Sequence, residues 1–126
     1  MHIDHTTLRT MKLEETKNFF VAVFGLTVGK RPAVIEAGIK GYWLYYKESP
    51  IVHLIQSGNY YSSPNNNGAE AIDHTAFYME GYDVFKEKLV ALGIPFSLMN
   101  LLDINERRIF LHTPTNILLE TVFREV

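Results

Sequence analysis

Three histidines and one glutamate occupy corresponding positions in two related halves of this sequence. The tetrapeptide Ile3-Asp4-His5-Thr6 recurs letter for letter as Ile72-Asp73-His74-Thr75. Near the end of each half, Ile51-Val52-His53-Leu54 aligns with Leu118-Leu119-Glu120-Thr121. Imidazole and carboxylate groups are common protein ligands of divalent metal ions. The four positions His5, His53, His74 and Glu120 therefore predict a metal site.

The surroundings of these residues support that prediction. In an extended strand, Glu120 shares a face with the aliphatic Leu118 and Val122. A carboxylate among aliphatic side chains is costly to bury alone, so it needs a cation or strong hydrogen-bond donors. Any one of the four residues, taken singly, is more often structural. Their occupation of repeat-equivalent positions is what favours a shared site.

Apolar periodicity places the four residues on strands and predicts the same element order twice. The first half has strands at Ile3–Thr10, Thr27–Arg31, Gly41–Tyr46 and Ile51–Gln56, with a helix at Leu13–Phe24 that Gly25 ends. The second half has strands at Ala71–Met79, Pro95–Met99, Arg107–His112 and Ile117–Phe123, with a helix at Tyr82–Leu92. We predict an α+β fold of two tandem βαβββ modules.

One turn-rich stretch separates the modules. Residues 58–70 are rich in serine, asparagine, proline and glycine, and they predict a linker between module one (about 1–57) and module two (about 71–126). Neither module is large enough to bury a comfortable core alone. We expect the whole chain, 1–126, to form a single domain.

Composition excludes several classes of partner and site. The 126 residues carry a net charge of −2 and no cysteine, so thiolate ligands and disulfides are excluded and binding to nucleic acid is not expected. The sequence has no apolar run of about 18 residues that predicts a transmembrane helix. The first residues lack the pattern of a signal peptide. We expect a cytoplasmic protein that does not bind membranes.

Several short motifs resemble the vicinal oxygen chelate superfamily, which contains glyoxalase I, bleomycin and fosfomycin resistance proteins, extradiol dioxygenases and methylmalonyl-CoA epimerase. The motifs are His5-Thr6-Thr7-Leu8-Arg9, Phe19-Phe20 with Phe24-Gly25-Leu26, Val52-His53-Leu54, His74-Thr75-Ala76-Phe77 and Ile117-Leu118-Leu119-Glu120. The resemblance covers essentially the whole chain. It implies the glyoxalase-like fold, in which paired βαβββ modules form a curved, cup-shaped mixed sheet around a metal, with helices on the outside.

The resemblance also implies a ligand set. The family takes its ligands from the first and last strands of each module, which here carry His5, His53, His74 and Glu120. Many members use three of them, corresponding to His5, His74 and Glu120, around one divalent ion such as Fe, Ni, Zn, Mn or Co. For His53 two roles stay open: a fourth ligand, or a base that moves a proton.

Other side chains are candidates for contact with a substrate. The guanidinium group of Arg9 suits an anionic group, while Trp43 and Tyr78 are candidates to line the pocket. Arg107 and Arg108 face opposite ways on one strand, so at most one of them points inward. Before the last strand, Thr113-Pro114-Thr115-Asn116-Ile117 replaces the family's Asp-Pro-Asp-Gly-Asn turn, and Asn116 is able to adopt the left-handed conformation of the glycine.

The resemblance leaves two functions in competition. The first is a metal-dependent lyase, isomerase or dioxygenase acting on a small substrate with two vicinal oxygens, in which His53 and Glu120 are the catalytic candidates. The alternative is a metal-free protein that sequesters a ligand, of the bleomycin-resistance kind. The four filled ligand positions favour the enzyme. By family analogy we also expect a homodimer.

Overall fold

A computed structural model describes residues 1–57, 71–114 and 116–125. The elements in chain order are β1 (His2–Thr10), α1 (Leu13–Phe24), β2 (Thr27–Gly29), α2 (Ala33–Gly38), β3 (Gly41–Tyr46), β4 (Ser49–Gln56), β5 (Ala71–Tyr78), α3 (Tyr82–Leu92), β6 (Ser97–Leu101), a short 3₁₀ helix (Leu102–Ile104), β7 (Glu106–His112) and β8 (Leu118–Phe123). The predicted α+β fold of two βαβββ modules is confirmed. The described part of the chain contains no helix that is both long and apolar enough to cross a membrane.

The chain divides into two compact units. The first unit comprises residues 5–73, and the second comprises residues 1–4 and 74–126. The predicted linker, residues 58–70, lies outside the described residues. Ser57, directly before it, is buried, and its N–H donates to the carbonyl oxygen of Thr10 at 2.8 Å. The single domain expected from the sequence stays a prediction.

In the first unit the strands lie in the order β2-β3-β4-β1. β1 and β4 are parallel, whereas β2, β3 and β4 are antiparallel neighbours. One face of these strands packs against α1 and its flanks through a core of Leu13, Leu26, Leu44, Val52 and Leu54. Because strand side chains alternate between faces, His53 on β4 and Trp43 on β3 lie on the face opposite this core.

The second unit repeats this plan with the order β5-β8-β7-β6, in which β5 and β8 are parallel. Here α3 packs on one face through a core of Tyr82, Leu89, Ile109 and Phe123. The alternation again sends a different set of side chains, including Arg108 and Glu120, to the opposite face. In each module the helix therefore covers an apolar core on one face, whereas His53 in module one and Arg108 and Glu120 in module two lie on the other face.

Left-handed glycines end two helices, and for α1 the sequence predicts this role of Gly25. Gly25 follows α1 with φ 69° and Gly93 follows α3 with φ 68°. A Cβ at either position would meet nothing within 4 Å, so glycine is favoured by the backbone conformation and not by lack of space. Asn116 has φ 72°, which confirms the left-handed turn predicted before β8.

Two sequence predictions for the first module are wrong in detail. The strand predicted to run to Arg31 ends at Gly29, and the helix α2 that follows it was not predicted. Pro32 precedes α2, which has only six residues, too few to show a helical period. In α1, the apolar residues Phe19, Val23 and Phe24 are exposed.

A carboxylate from the end of the chain caps the beginning of α3. The N-cap residue Gly81 has no side chain, and the N–H groups of Gly81 and Tyr82 each donate to the Glu125 carboxylate at 2.9 Å. These hydrogen bonds, from Tyr82 and then Gly81, lower the pKa of Glu125 below its ordinary value. Glu125 thus provides the acceptor that a serine or aspartate supplies at other helix starts.

We predict that Glu125→Gln lowers the melting temperature at neutral pH, because the amide loses the charge that two N–H donors favour. The folded-state pKa is depressed, so this stabilisation is present above the ordinary value of about 4.5 and is lost as the pH falls through the lower folded pKa. Melting curves from pH 7 to pH 2 should converge for wild type and variant. Glu87→Gln, an exposed glutamate in α3, is the control and should melt like wild type throughout.

Candidate metal centre

His74 and Glu120 meet on one face of the second unit. β5 and β8 run parallel with Ala76 opposite Glu120, so the side chain of His74, two residues earlier, projects to the same side. His74 Nε2 lies 2.8 Å from Glu120 Oε1. The Glu120 side chain is only 2% exposed and that of His74 10%. The parallel pairing of β5 with β8, the first and last strands of module two, brings together two residues that are far apart in sequence.

This pair fits the chemistry of a divalent metal. Imidazole nitrogen and carboxylate oxygen bind such ions at about 2.0–2.2 Å. Two donor atoms in adjacent coordination positions at those bond lengths lie roughly 3 Å apart. The 2.8 Å between His74 Nε2 and Glu120 Oε1 agrees with that spacing. Both residues are therefore suited to bind the same ion.

Arg108 holds the other oxygen of Glu120. Its Nη1 donates to Glu120 Oε2 at 2.8 Å, and its Nη2 donates to Glu106 Oε1 at 2.5 Å. Arg107 lies on the opposite face, where its guanidinium stands 3.7 Å from the centre of the Tyr82 ring. The prediction that at most one of these two arginines points inward is confirmed.

Two further ion pairs link Glu106 to Arg124 and Arg124 to Asp4. Arg124 Nε donates to Glu106 Oε2 at 2.9 Å, and Arg124 Nη2 donates to Asp4 Oδ1 at 2.7 Å. Acid and base alternate from Asp4 to Glu120, so each charge has a neighbour of opposite sign. This arrangement explains how a carboxylate with so little exposure stays in the fold.

The first unit presents a stack of three aromatic rings. His53 lies between His5, at 3.7 Å between ring centres, and Trp43, at 4.1 Å, with interplanar angles of 19° and 8°. All three residues are buried. The pairing of His53 with Thr7 on β1 and with Trp43 on β3 places the rings on one face. His53 is thereby fixed in orientation, and its role as a ligand or a base stays a prediction.

The two remaining candidates have protein partners. Arg9 Nε donates to the Asp73 carboxylate within the first unit. The Tyr78 ring centre lies 5.0 Å from that of His2 and 4.9 Å from the guanidinium carbon of Arg124. Substrate contact by Arg9, Trp43 and Tyr78 stays a prediction.

Sequence reasoning missed the charged residues around Glu120. Glu106 and Arg108 lie two apart on β7, so alternation places them on one face, and Arg124 directly follows β8 at an even spacing from Glu120. That signal is present in the sequence. The partners of each charge depend on strand register, which the sequence does not reveal.

Comparison with known proteins now decides the family. The model of the Glyoxalase/Bleomycin resistance protein/Dioxygenase superfamily matches residues 2–121. The chain belongs to this superfamily. The family resemblance drawn from its sequence motifs is thus confirmed. A search among curated proteins returns no match.

Solved structures share the fold. Methylmalonyl-CoA epimerase from Mycobacterium tuberculosis is similar with a TM-score of 0.71 and 16% identity, covering 99% of this chain and 89% of that one. A variant of methylmalonyl-CoA epimerase from Streptomyces coelicolor, in complex with 2-nitronate-propionyl-CoA, gives 0.70 and 21%, covering 100% and 99%. A 2,3-dioxygenase from Pseudomonas sp. KL28 gives 0.72 and 16%, covering 99% of this chain and 41% of that one. At these identities the likeness shows the glyoxalase-like fold.

A double-mutant cycle measures the buried ion pair. We predict that Arg108→Met and Glu120→Leu each lower the free energy of unfolding of the metal-free protein by about 3–5 kcal/mol, because each leaves a buried charge with one partner fewer. The double variant should lose less free energy of unfolding than the sum of the losses of the two single variants. Urea denaturation provides the values.

Arg107→Met is the matched control, since it removes the same charge from the opposite face of β7. When Arg107→Met is combined with Glu120→Leu, the losses in free energy of unfolding should add to within about 0.5 kcal/mol. Additive losses for the Arg108 cycle would show that the two buried charges do not stabilise each other.

Proposed function

We propose that this protein is a metal-dependent enzyme that acts on a small substrate with two vicinal oxygens, as a lyase, isomerase or dioxygenase. The observation that carries the proposal is the 2.8 Å approach of His74 Nε2 to Glu120 Oε1. These two residues occupy positions at which the family resemblance implies metal ligands. The superfamily includes glyoxalases and dioxygenases, which is consistent with this reaction class.

We propose His5 as the third ligand. It lies at the position equivalent to His74 in the repeated tetrapeptide, and only 2% of the residue is exposed. Two imidazoles and one carboxylate leave coordination positions for a bidentate oxygen substrate. The bound divalent ion, whether Fe, Ni, Zn, Mn or Co, would supply Lewis acidity toward the oxygens of the substrate.

The protein's own residues have defined tasks in this proposal. Glu120 provides a carboxylate oxygen whose charge Arg108 partly offsets. His53, held between two rings, offers an imidazole nitrogen that takes or gives a proton near neutral pH. Arg9 orients an anionic part of the substrate, and Trp43 and Tyr78 shape the pocket.

A homodimer is part of the same proposal. Phe19, Val23 and Phe24 leave apolar surface exposed on α1, and exposed apolar patches commonly mark interfaces. Sedimentation equilibrium of the purified protein distinguishes monomer from dimer.

Metal content tests the proposal. We predict near-stoichiometric binding of one divalent ion by protein purified without a histidine tag. His74→Ala and Glu120→Ala should each weaken binding by at least about 100-fold, because each removes a direct ligand. Isothermal titration calorimetry with Zn, Co, Ni and Mn provides the affinities. His112→Ala is the control, because His112 is exposed at the end of β7. This variant should bind metal with the affinity of wild type.

Two further measurements distinguish a lyase or isomerase from a dioxygenase. A metal-loaded protein that exchanges substrate hydrogen with solvent deuterium next to a carbonyl is a lyase or isomerase, whereas oxygen uptake with a catechol and Fe(II) indicates a dioxygenase. Failure to bind any of these metals after reconstitution contradicts the enzyme and leaves the metal-free, ligand-sequestering protein.

A further inference from the structure

The two oxygens of Glu120 have different partners. Oε1 lies 2.8 Å from His74 Nε2, and Oε2 accepts a hydrogen bond from Arg108 Nη1 at 2.8 Å. The Glu120 and Arg108 side chains are 2% and 5% exposed. Water therefore competes little for either oxygen, and the carboxylate is held at both ends.

Arg108 is itself held in place. Its second amino group donates to Glu106 Oε1, and Glu106 Oε2 accepts from Arg124 Nε at 2.9 Å. The planar guanidinium thus bridges two carboxylates in a fixed fork, a geometry that lysine does not reproduce.

We propose that Arg108 is a positioning residue that restricts Glu120 to one available oxygen, so that Glu120 binds a metal through Oε1 alone. The inference rests on the proposed metal site, which it deepens. A carboxylate that binds through one oxygen occupies one coordination position. The position that a second oxygen would fill stays open to substrate or water.

The equivalent positions of the two modules differ in a way that matches the proposal. Arg108 faces Val122, two residues after Glu120, and the equivalent residue in module one is Gly41, which faces Ile55, two residues after His53. A Cβ at Gly41 would lie 1.9 Å from the carbonyl oxygen of Leu54, so no side chain fits there. At this position module two has an arginine beside its carboxylate, whereas module one has a glycine.

Cobalt(II) spectroscopy tests the proposal. In Arg108→Met the released Oε2 should also bind Co(II), which raises the coordination number by one and weakens the visible d–d absorption. Affinity in competition with a chelator should rise about tenfold or more, since a nearby positive charge is removed. Arg107→Met is the matched control and should keep both the spectrum and the affinity of wild type. Superimposable spectra for Arg108→Met and wild type overturn the proposal.

A second variant and a measurement on metal-free protein keep the proposal testable if Arg108→Met misfolds or if the protein binds no metal. Arg108→Lys keeps the charge without the fork and should give a spectrum between those of wild type and Arg108→Met. In metal-free protein at fixed pH, the NMR nitrogen shift of His74 Nε2 should move in Arg108→Met and stay unchanged in Arg107→Met. If wild type binds no Co(II), the proposed function fails, and this NMR comparison alone decides whether Arg108 positions Glu120.

Discussion

The buried carboxylate of Glu120 is the group on which the charged contacts of the second unit depend. A carboxylate with 1% of its residue surface exposed is stable only if strong donors or a cation replace the water it has lost. Arg108 supplies two of these requirements, a positive charge and a hydrogen bond, to one oxygen. The other oxygen is directed at His74, so each oxygen of the carboxylate has its own partner.

The repeated fold explains how one architecture supports two different environments. In each unit the helix covers one face of the strands, and the opposite face carries the polar and aromatic side chains of the candidate site. In module one that face carries stacked rings around His53, with Gly41 where module two has Arg108. In module two it carries alternating charges around Glu120. The two modules share the order and pairing of their strands, while equivalent positions carry an imidazole in one module and a carboxylate in the other.

Much of the fold follows from local patterns in the sequence. The helices Leu13–Phe24 and Tyr82–Leu92 were predicted with both ends correct, because apolar periodicity and the glycines after them act locally. The ends of the strands agree within two residues. The helix α2 was missed because six residues after a proline carry too little periodicity to be recognised.

The site was predictable only in part. Repeat equivalence pointed to His74 and Glu120, and the parallel pairing of β5 with β8 accounts for their approach. The contacts of Arg108 with Glu120 and Glu106 were not predicted, because they depend on the register of β7 against β8. Alternation alone gives the face of a side chain and not its partner.

Anomalous diffraction from crystals grown with cobalt would show whether His74 and Glu120 bind one ion. We predict one anomalous peak within about 2.2 Å of both His74 Nε2 and Glu120 Oε1, with Oε2 still hydrogen-bonded to Arg108. A peak elsewhere, or Glu120 bound to the ion through both oxygens with Arg108 displaced, would contradict it.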